Sequence, residues 1–167
     1  QVLALKTSAL VALTTDQVQA LATDAVAVLT TAQLSALTTS VVAALTTAQV
    51  IALTTDQTVA LSTAQAMALT TDQIAALTTD QIAALETRDM AVLRSMQIAA
   101  ITTSGIAALT TGQVATLTSS TVTALSTDQM AALSSSQLVV MKTGSLAVLN
   151  SAQIQSIQTD AVAALTT

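Results

Sequence analysis

The 167-residue chain contains no cysteine, proline, histidine or aromatic residue, and only three glycines. Without cysteine it forms neither disulfides nor thiolate metal sites. Without His, Cys or Tyr, its many hydroxyl groups have no base beside them that would make them nucleophiles. These absences predict a protein that is not an enzyme, with no catalytic or cofactor-binding residue, no cofactor and no small-molecule substrate.

Charge and long apolar runs are also scarce. Four basic residues stand against nine acidic ones, for a net charge of −5. So few cations leave no basic face for a phosphate backbone, so nucleic acid is not an expected partner. The apolar runs at 9–13, 41–45 and 161–165 are five residues long. A membrane-spanning helix needs about twenty residues, so no transmembrane segment is predicted.

The chain does have a strict period of eight residues. The unit reads TTDQIAAL at residues 70–77 and again at 78–85, and twenty copies run from residue 6 to residue 165 without insertion or deletion. In such arrays each unit packs mainly on its neighbours. Residues 1–167 are therefore predicted to be one continuous array. Because no polar capping repeat stands at either end, we expect it to be a window of a longer array.

A period of eight does not fit one continuous α-helix. Eight residues turn about 800°, so a leucine stripe would drift by about 80° in every repeat. Holding the stripe on one side would need four residues per turn, beyond the seven- and eleven-residue repeats of coiled coils. The chain must therefore break once per octad. The predicted fold is all-α, with one very short helix per repeat and a break at each Thr-Thr.

The hydroxyl residues at this break give two possible N-caps. Counting octads from Lys6, the second position is Thr or Ser in all twenty copies, so we expect it to be the cap. The first position is the alternative, since Thr70 and Gln73 fit a capping box with Leu69 and Ile74 as its hydrophobic staple. The first position is less uniform and includes Lys, Ala and Arg, which favours the second.

Two positions of the octad are predicted to form the core. The fifth is apolar except at Thr58 and Ala66, and the eighth is Leu, Ile or Met throughout. A spacing of three puts both on one helix face. Val59 and Met67, next to the two exceptions, are expected to supply the missing bulk. The methionines are likewise expected to fill the core, and the alanines at positions six and seven to allow close helix packing.

Helices this short need tertiary packing. Reversal at each break would give antiparallel pairs of sixteen residues, stacked into a miniature α-solenoid about 80–100 Å long if neighbours lie ~8–10 Å apart. The alternative is a β-solenoid with sixteen or twenty-four residues per coil, which the Thr, Val and Ile content favours. The lack of Pro, the scarcity of Gly and the non-alternating Ile-Ala-Ala-Leu segment argue against it.

Acidic residues give no metal site by this reasoning. In seven of the twenty octads the third position is Asp, in the first helical turn where the helix dipole favours it, and single carboxylates spaced by eight residues or more do not form a calcium cluster. The charged stretch 86–94 is interpreted as two diverged repeats with their charges on solvated turns, because the apolar register is kept by Met90, Val92, Leu93 and Ile98. The third-position Asp residues are Asp16, Asp24, Asp56, Asp72, Asp80, Asp128 and Asp160.

Rows of threonine raise the possibility of ice binding, which needs a flat, uninterrupted surface. The second-position row is already accounted for by capping, and the first-position row is interrupted seven times. Ice binding is therefore the least favoured of three functional hypotheses. The interruptions are Lys6, Ala22, Glu86, Arg94, Lys142, Asn150 and Gln158.

The long run of Leu-Thr-Thr-x-Gln-[Ile/Val]-Ala-Ala resembles the repetitive regions of large bacterial secreted and surface proteins, including adhesins and extracellular filaments. That resemblance implies an extracellular or cell-surface structural protein, a rod or spacer that self-assembles into fibres with copies of itself as partner. Low charge and Ala-rich faces agree with self-association. The alternative is a solenoid scaffold that binds a peptide or protein.

Overall fold

The computed structural model describes the chain from residue 7 to residue 158, and this part forms nineteen short helices, one per octad, with no strand. The prediction of an all-α solenoid is confirmed, and these residues do not form the alternative β-solenoid. The helices are α1 Thr7–Val11, α2 Thr15–Gln19, α3 Thr23–Ala27, α4 Thr31–Ser35, α5 Thr39–Ala44, α6 Thr47–Ile51, α7 Thr55–Val59, α8 Thr63–Ala68, α9 Thr71–Ala76, α10 Thr79–Ala84, α11 Thr87–Met90, α12 Ser95–Ala100, α13 Thr103–Ala108, α14 Thr111–Val114, α15 Ser119–Thr123, α16 Thr127–Ala131, α17 Ser135–Val139, α18 Thr143–Leu146 and α19 Ser151–Ser156.

The chain turns between helices through two extended residues, the eighth position of one octad and the first of the next. Leu77 has φ −58° and ψ 136°, and Thr78 has φ −69° and ψ 162°. Any L-residue adopts these angles. Among the described residues no positive φ occurs. The corners therefore need neither glycine nor proline, which explains why the chain has so little of either.

The helix cap lies at the first position of the octad, so our preference for the second position is wrong. The hydroxyl of Thr78 accepts a hydrogen bond from the main-chain N–H of Gln81 at 3.2 Å, and Oε1 of Gln81 accepts from the N–H of Thr78 at 2.9 Å. This is the reciprocal capping box. Where the first position is Arg94, Gln97 still accepts from its N–H at 2.9 Å. The hydrogen bond from the first-position N–H to the glutamine side chain therefore forms even where the first residue has no hydroxyl to cap the helix.

Three helices complete one coil of the superhelix. α10 packs against α7 and α13, and every helix from α1 to α16 packs against the helix three places further along. The coil is therefore a three-sided turn of twenty-four residues, and the expected sixteen-residue antiparallel pairs are wrong. With stacked helices ~8–10 Å apart, nineteen helices make about six coils, so the described part rises roughly 50–60 Å, less than expected.

The core consists mainly of the fifth and eighth positions, as predicted, with Val41 added from a fourth position and Ile154, a fifth-position residue, left 50% exposed. Leu34, Ile82 and Leu109 are among its buried members. At the two exceptions, Thr58 and Ala66 are themselves fully buried, whereas Val59 and Met67 remain 39% and 43% exposed. The expected compensation by the next residue is therefore wrong. A sixth-position side chain points away from the axis and cannot fill space at the fifth.

The fourth-position glutamines join successive coils. Nε2 of Gln81 donates to the carbonyls of Val50 and Leu53, at 2.8 and 2.7 Å, which lie 31 and 28 residues earlier at the end of α6. The last four carbonyls of a helix have no partner within it, and here the coil above supplies one. The same pair of bonds recurs at Gln49, Gln57, Gln65, Gln73, Gln97, Gln113, Gln137 and Gln153. We call this series the glutamine ladder.

Candidate functional site

The outer surface is built from the first three positions of each octad, as at Thr78, Thr79 and Asp80, which are all exposed. Because each helix packs on the one three places later, these residues align with their counterparts 24 residues away. They form three edges along the superhelix. The first edge contains the octads beginning at residues 30, 54, 78, 102, 126 and 150, the second those at 14, 38, 62, 86, 110 and 134, and the third those at 22, 46, 70, 94, 118 and 142.

The first edge carries two adjacent hydroxyl residues in each of five successive coils. All ten are exposed, so a double row of hydroxyl groups runs along this edge. None of its octads in the described part contains Lys or Arg, although Asp56, Asp80 and Asp128 lie at its third position. The ten are Thr30, Thr31, Thr54, Thr55, Thr78, Thr79, Thr102, Thr103, Ser126 and Thr127. We call them the threonine edge.

The interruptions expected along the first-position row fall mainly on the other two edges. Glu86 lies on the second, and Ala22, Arg94 and Lys142 on the third. Asn150 ends the first edge, where its Oδ1 accepts from the N–H of Gln153 at 2.9 Å and so caps as a threonine would. Lys6 and Gln158 stand outside these octads. A row that is interrupted along the sequence is therefore continuous on one side of the fold.

Two second-position hydroxyls bind main-chain carbonyls across the seam between coils, and no second-position residue is the cap of a helix whose N-cap is described. Oγ of Ser95 donates to the carbonyl of Ser120 at 3.1 Å, and Oγ of Ser119 donates to that of Gly144 at 3.0 Å, each 25 residues further along. Thr87 reaches the same place, since its methyl lies 3.3 Å from where a side chain on Gly112 would begin. A small residue is therefore needed at this position, and capping does not explain its hydroxyl.

The charged stretch 86–94 contains one buried acid that the sequence did not reveal. Arg88 lies in α11 and is exposed, as expected, and its Nε is 2.7 Å from Oε2 of Glu86, the residue before the helix. Asp89, in contrast, is fully buried, so the expectation that all these charges are solvated is wrong. Its Oδ1 accepts from Oγ1 of Thr63 at 2.9 Å, while Oδ2 is buried without a partner within the described chain.

Burial raises the pKa of the Asp89 carboxyl, because an ionised group loses its hydration there. The Thr63 hydroxyl and the Arg88 guanidinium oppose this rise, and Glu86 adds to it. Of the residues expected to keep the apolar register, Met90, Leu93 and Ile98 are buried and Val92 is half-buried. The diverged repeat therefore keeps its apolar register while placing a carboxyl at a ladder position.

A shallow groove on the third edge is the other irregular feature. It has a volume of about 190 Å³ and is bounded by Leu69, Thr70, Arg94 and Met96, among others. Nη2 of Arg94 donates to the Met67 carbonyl at 3.1 Å, so the guanidinium is held to the coil below. Met96 is 74% exposed and is not the core filler expected of it. Small-molecule sites usually occupy ~300–1,000 Å³, so this groove is too small for one.

The third-position aspartates lie singly on the surface. Asp56, Asp72 and Asp80 lie in the first turns of α7, α9 and α10 and are exposed, and Asp160 is outside the described residues. Between residues 7 and 158, no three acidic side chains meet as a metal-binding group. None of the helices in that same part is long and apolar enough to cross a membrane.

Two features escaped the sequence reasoning, and each has its own signal. Read at intervals of twenty-four residues, the interval at which each helix packs on the third helix along, the octads separate into three rows, and the row from Thr30 to Ser126 is uniform. Read at intervals of eight, Asp89 stands at the fourth position, where most octads have a buried Gln.

These helices, corners and stacked coils define a helical tandem-repeat protein of the solenoid class. The chain belongs to the ALTTAQ repeat family, whose model matches residues 1–31, 26–63, 59–87 and 82–119. The family's motif, Ala-Leu-Thr-Thr-Ala-Gln, stands unaltered at residues 44–49. Neither a comparison with curated proteins nor one with solved structures gives a match. The tandem repeat that the sequence indicated is thus confirmed.

Proposed function

We propose that this chain is a structural rod or spacer, with a non-enzymatic role outside the cell, whose copies associate into fibres. The observation that supports it best is the glutamine ladder. Each coil offers main-chain carbonyls on one side and glutamine amides on the other, as Gln81 and Leu53 illustrate at 2.7 Å. Such an arrangement repeats without change along an axis, so an array of any length is built by adding coils.

The exposed surface also suits association with further copies. Apolar side chains are exposed on all three sides, among them Val59 on α7, Ile51 on α6 and Val139 on α17, at 39%, 49% and 54%. Charge repulsion between copies is weak because the 167 residues carry a net charge of only −5. Scattered apolar contacts with little opposing charge favour lateral packing of rods over one discrete docking site.

Electron microscopy over a range of protein concentrations tests this proposal. We expect rods that join end to end or side by side as concentration rises. Ile51→Lys with Val139→Lys should reduce lateral packing, because each places a charge at an exposed apolar position. Ser40→Lys with Ser136→Lys adds the same charge at exposed polar positions and is the control. A monodisperse monomer at every concentration argues against the fibre. Antibody labelling of intact source cells tests the location.

The threonine edge supports a second candidate, ice binding. The two sequence arguments against it were that capping explains the second-position hydroxyls and that the first-position row is interrupted. The cap lies at the first position, and the row from Thr30 to Ser126 is continuous on the first edge. Regularly spaced hydroxyl and methyl groups on a surface without lysine or arginine are what an ice surface requires of its ligand.

Thermal hysteresis and ice-crystal shape test this candidate. Thr78→Lys, in the middle of the threonine edge, should abolish both if ice binds there. Thr46→Lys makes the same change at the same octad position on the third edge, where the array already contains Arg94 and Lys142, and should leave both intact. Ice growth that is unaffected by the unaltered chain excludes the candidate and leaves the rod proposal untouched, because lateral association does not depend on the threonine edge.

A further inference from the structure

Asp89 occupies a position that other coils fill with a hydrogen-bond donor. Twelve of the twenty octads have Gln at the fourth position. Asp89 is the only ionisable residue that occupies this position in any octad. On either side of it in the series, Gln81 donates to the Leu53 carbonyl at 2.7 Å and Gln97 to the Leu69 carbonyl at 2.8 Å. The carbonyl that corresponds to residue 89 belongs to Leu61, at the corner after α7. An ionised carboxylate has no hydrogen to offer it.

The two carboxyl oxygens of Asp89 have different surroundings. Oδ1 accepts a hydrogen bond from the hydroxyl of Thr63 at 2.9 Å and lies 3.8 Å from Nε of Arg88. Oδ2 is buried and has no hydrogen-bond partner within the described chain. A buried acceptor with no donor costs roughly 1–3 kcal/mol, and more when it carries charge. Protonation of Oδ2 turns it into a donor and removes that penalty.

The charges around Asp89 are few and come from its own octad. Glu86 and Arg88 pair with one another over 2.7 Å at the surface. α8 and α14, the helices that pack against α11 from the coils below and above, contain no ionisable residue. Arg94 and Asp80, at the starts of the adjoining helices, are exposed on other edges. A proton suits Oδ2 better than a metal ion, because the described residues gather no group of three metal-ligating side chains around it.

We propose that Asp89 makes a proton-binding seam in the superhelix, in which the neutral carboxyl donates Oδ2–H to a main-chain carbonyl of the underlying coil and the ionised carboxylate loosens the contact between α8 and α11. The seam divides the array into two segments. It rests on the fold and not on the proposed function, so it holds for a rod of any use.

The direction of its pH dependence follows from linkage. Folding raises the pKa of Asp89 above its ordinary value, so the folded chain binds this proton more tightly than the unfolded chain does. The stabilisation is complete below the ordinary pKa and is lost as pH rises through the raised one. Between the two, the equilibrium constant for opening the seam rises by up to about tenfold per pH unit.

Amide hydrogen exchange in the full chain between pH 4 and pH 8 tests the seam, after correction for the intrinsic pH dependence of exchange. In the unaltered chain, protection of α8 and α11 should fall as pH rises while that of α5 and α16 stays constant. Asp89→Asn and Asp89→Gln, which keep a donor at all pH values, should abolish the fall. Asp80→Asn removes an exposed carboxyl and should leave it unchanged.

Carbon-13 titration of the carboxyl groups gives an independent result on the unaltered chain, even if a variant fails to fold. The Asp89 carboxyl should titrate at a higher pH than an aspartate ordinarily does. The proposal is overturned if it titrates in the ordinary range of an aspartate, or if α8 and α11 lose no protection with pH. It is also overturned if CaCl2 or NaCl protects the unaltered seam but not the Asp89→Asn seam, because a cation then takes the place of the proton.

Discussion

Nε2 of Gln81 donates to the carbonyl of Leu53 over 2.7 Å, across 28 residues of chain and one coil of the superhelix. The same side chain closes the capping box of its own helix through Oε1, which accepts from the N–H of Thr78. One buried amide therefore ends a helix in one coil and begins a helix in the next. This double use explains why a polar residue occupies an interior position in most octads.

Replacing a glutamine of the ladder by glutamate should strongly lower the stability of the chain wherever that glutamine binds carbonyls of the preceding coil. Gln81→Glu keeps the acceptor for the cap but leaves the Leu53 carbonyl facing a buried charge. We expect a loss of more than about 2 kcal/mol in the free energy of unfolding at neutral pH, measured by urea titration. Gln17→Glu is the matched control. Gln17 makes the same capping box but is exposed, so its variant should lose only a few tenths of a kcal/mol. Equal losses would argue against the ladder.

The position of the cap predicts unequal effects from two adjacent threonines. Thr78→Ala removes the acceptor for the N–H of Gln81 and should cost about 1 kcal/mol. Thr79→Ala changes the first helical residue, where alanine is the better helix former, and should cost little. Urea titration compares the two. If the Thr79 variant proves the less stable, the cap lies at the second position after all.

Truncating a core isoleucine and an exposed one should lower the stability of the chain by clearly different amounts. Ile82 lies at a fifth position and is 1% exposed, so Ile82→Ala should cost about 2–5 kcal/mol through lost burial and the cavity it leaves. Ile51 lies at a sixth position and is 49% exposed, so Ile51→Ala should cost well under half as much. Thermal unfolding by circular dichroism measures both. A similar loss at Ile51 would mean that the sixth position is buried by contacts with other copies.

Two helical glycines should respond to alanine with opposite signs. A Cβ at Gly105 would lie 2.7 Å from Cγ2 of Ile101 and 3.2 Å from Oγ1 of Thr102, so Gly105→Ala should destabilise the chain by about 1–3 kcal/mol. A Cβ at Gly144 meets nothing within 4 Å. Gly144→Ala should stabilise by about 0.4–1 kcal/mol, because it reduces the freedom of the unfolded chain. The midpoints of thermal unfolding check both signs, and stabilisation by Gly105→Ala would contradict the packing of that corner.

Much of the local fold could be predicted from the octad. The mismatch between eight residues and helical periodicity locates the breaks, and the apolar fifth and eighth positions locate the core. The number of helices per coil could not be predicted, because it depends on two extended corner residues such as Leu77 and Thr78, whose angles accumulate over each turn. The continuity of the threonine edge follows from that number and has no signal at the interval of eight. Asp89 does have one, because it occupies the fourth position, where most octads have Gln, but no local pattern shows that this position is buried.

The prediction of the N-cap at the second position was wrong for a related reason. Conservation of a hydroxyl within the repeat pointed to the second position, as at Thr79, whereas the first position varies because Gln81 and its equivalents carry half of the box alone. Gln97 does this beside Arg94. What holds the second position small is contact with the next coil, which no local pattern reports.

The distance between two spin labels tests the central claim, a three-helix coil of twenty-four residues, most directly. The chain has no cysteine, so Ala32→Cys with Asp128→Cys accepts labels only at these exposed positions on the first edge. Ninety-six residues separate them, which is four coils of twenty-four. Pulsed electron paramagnetic resonance should give about 32–40 Å if stacked helices lie ~8–10 Å apart. A distance of about 48–60 Å, six coils of sixteen residues, would contradict the three-helix coil.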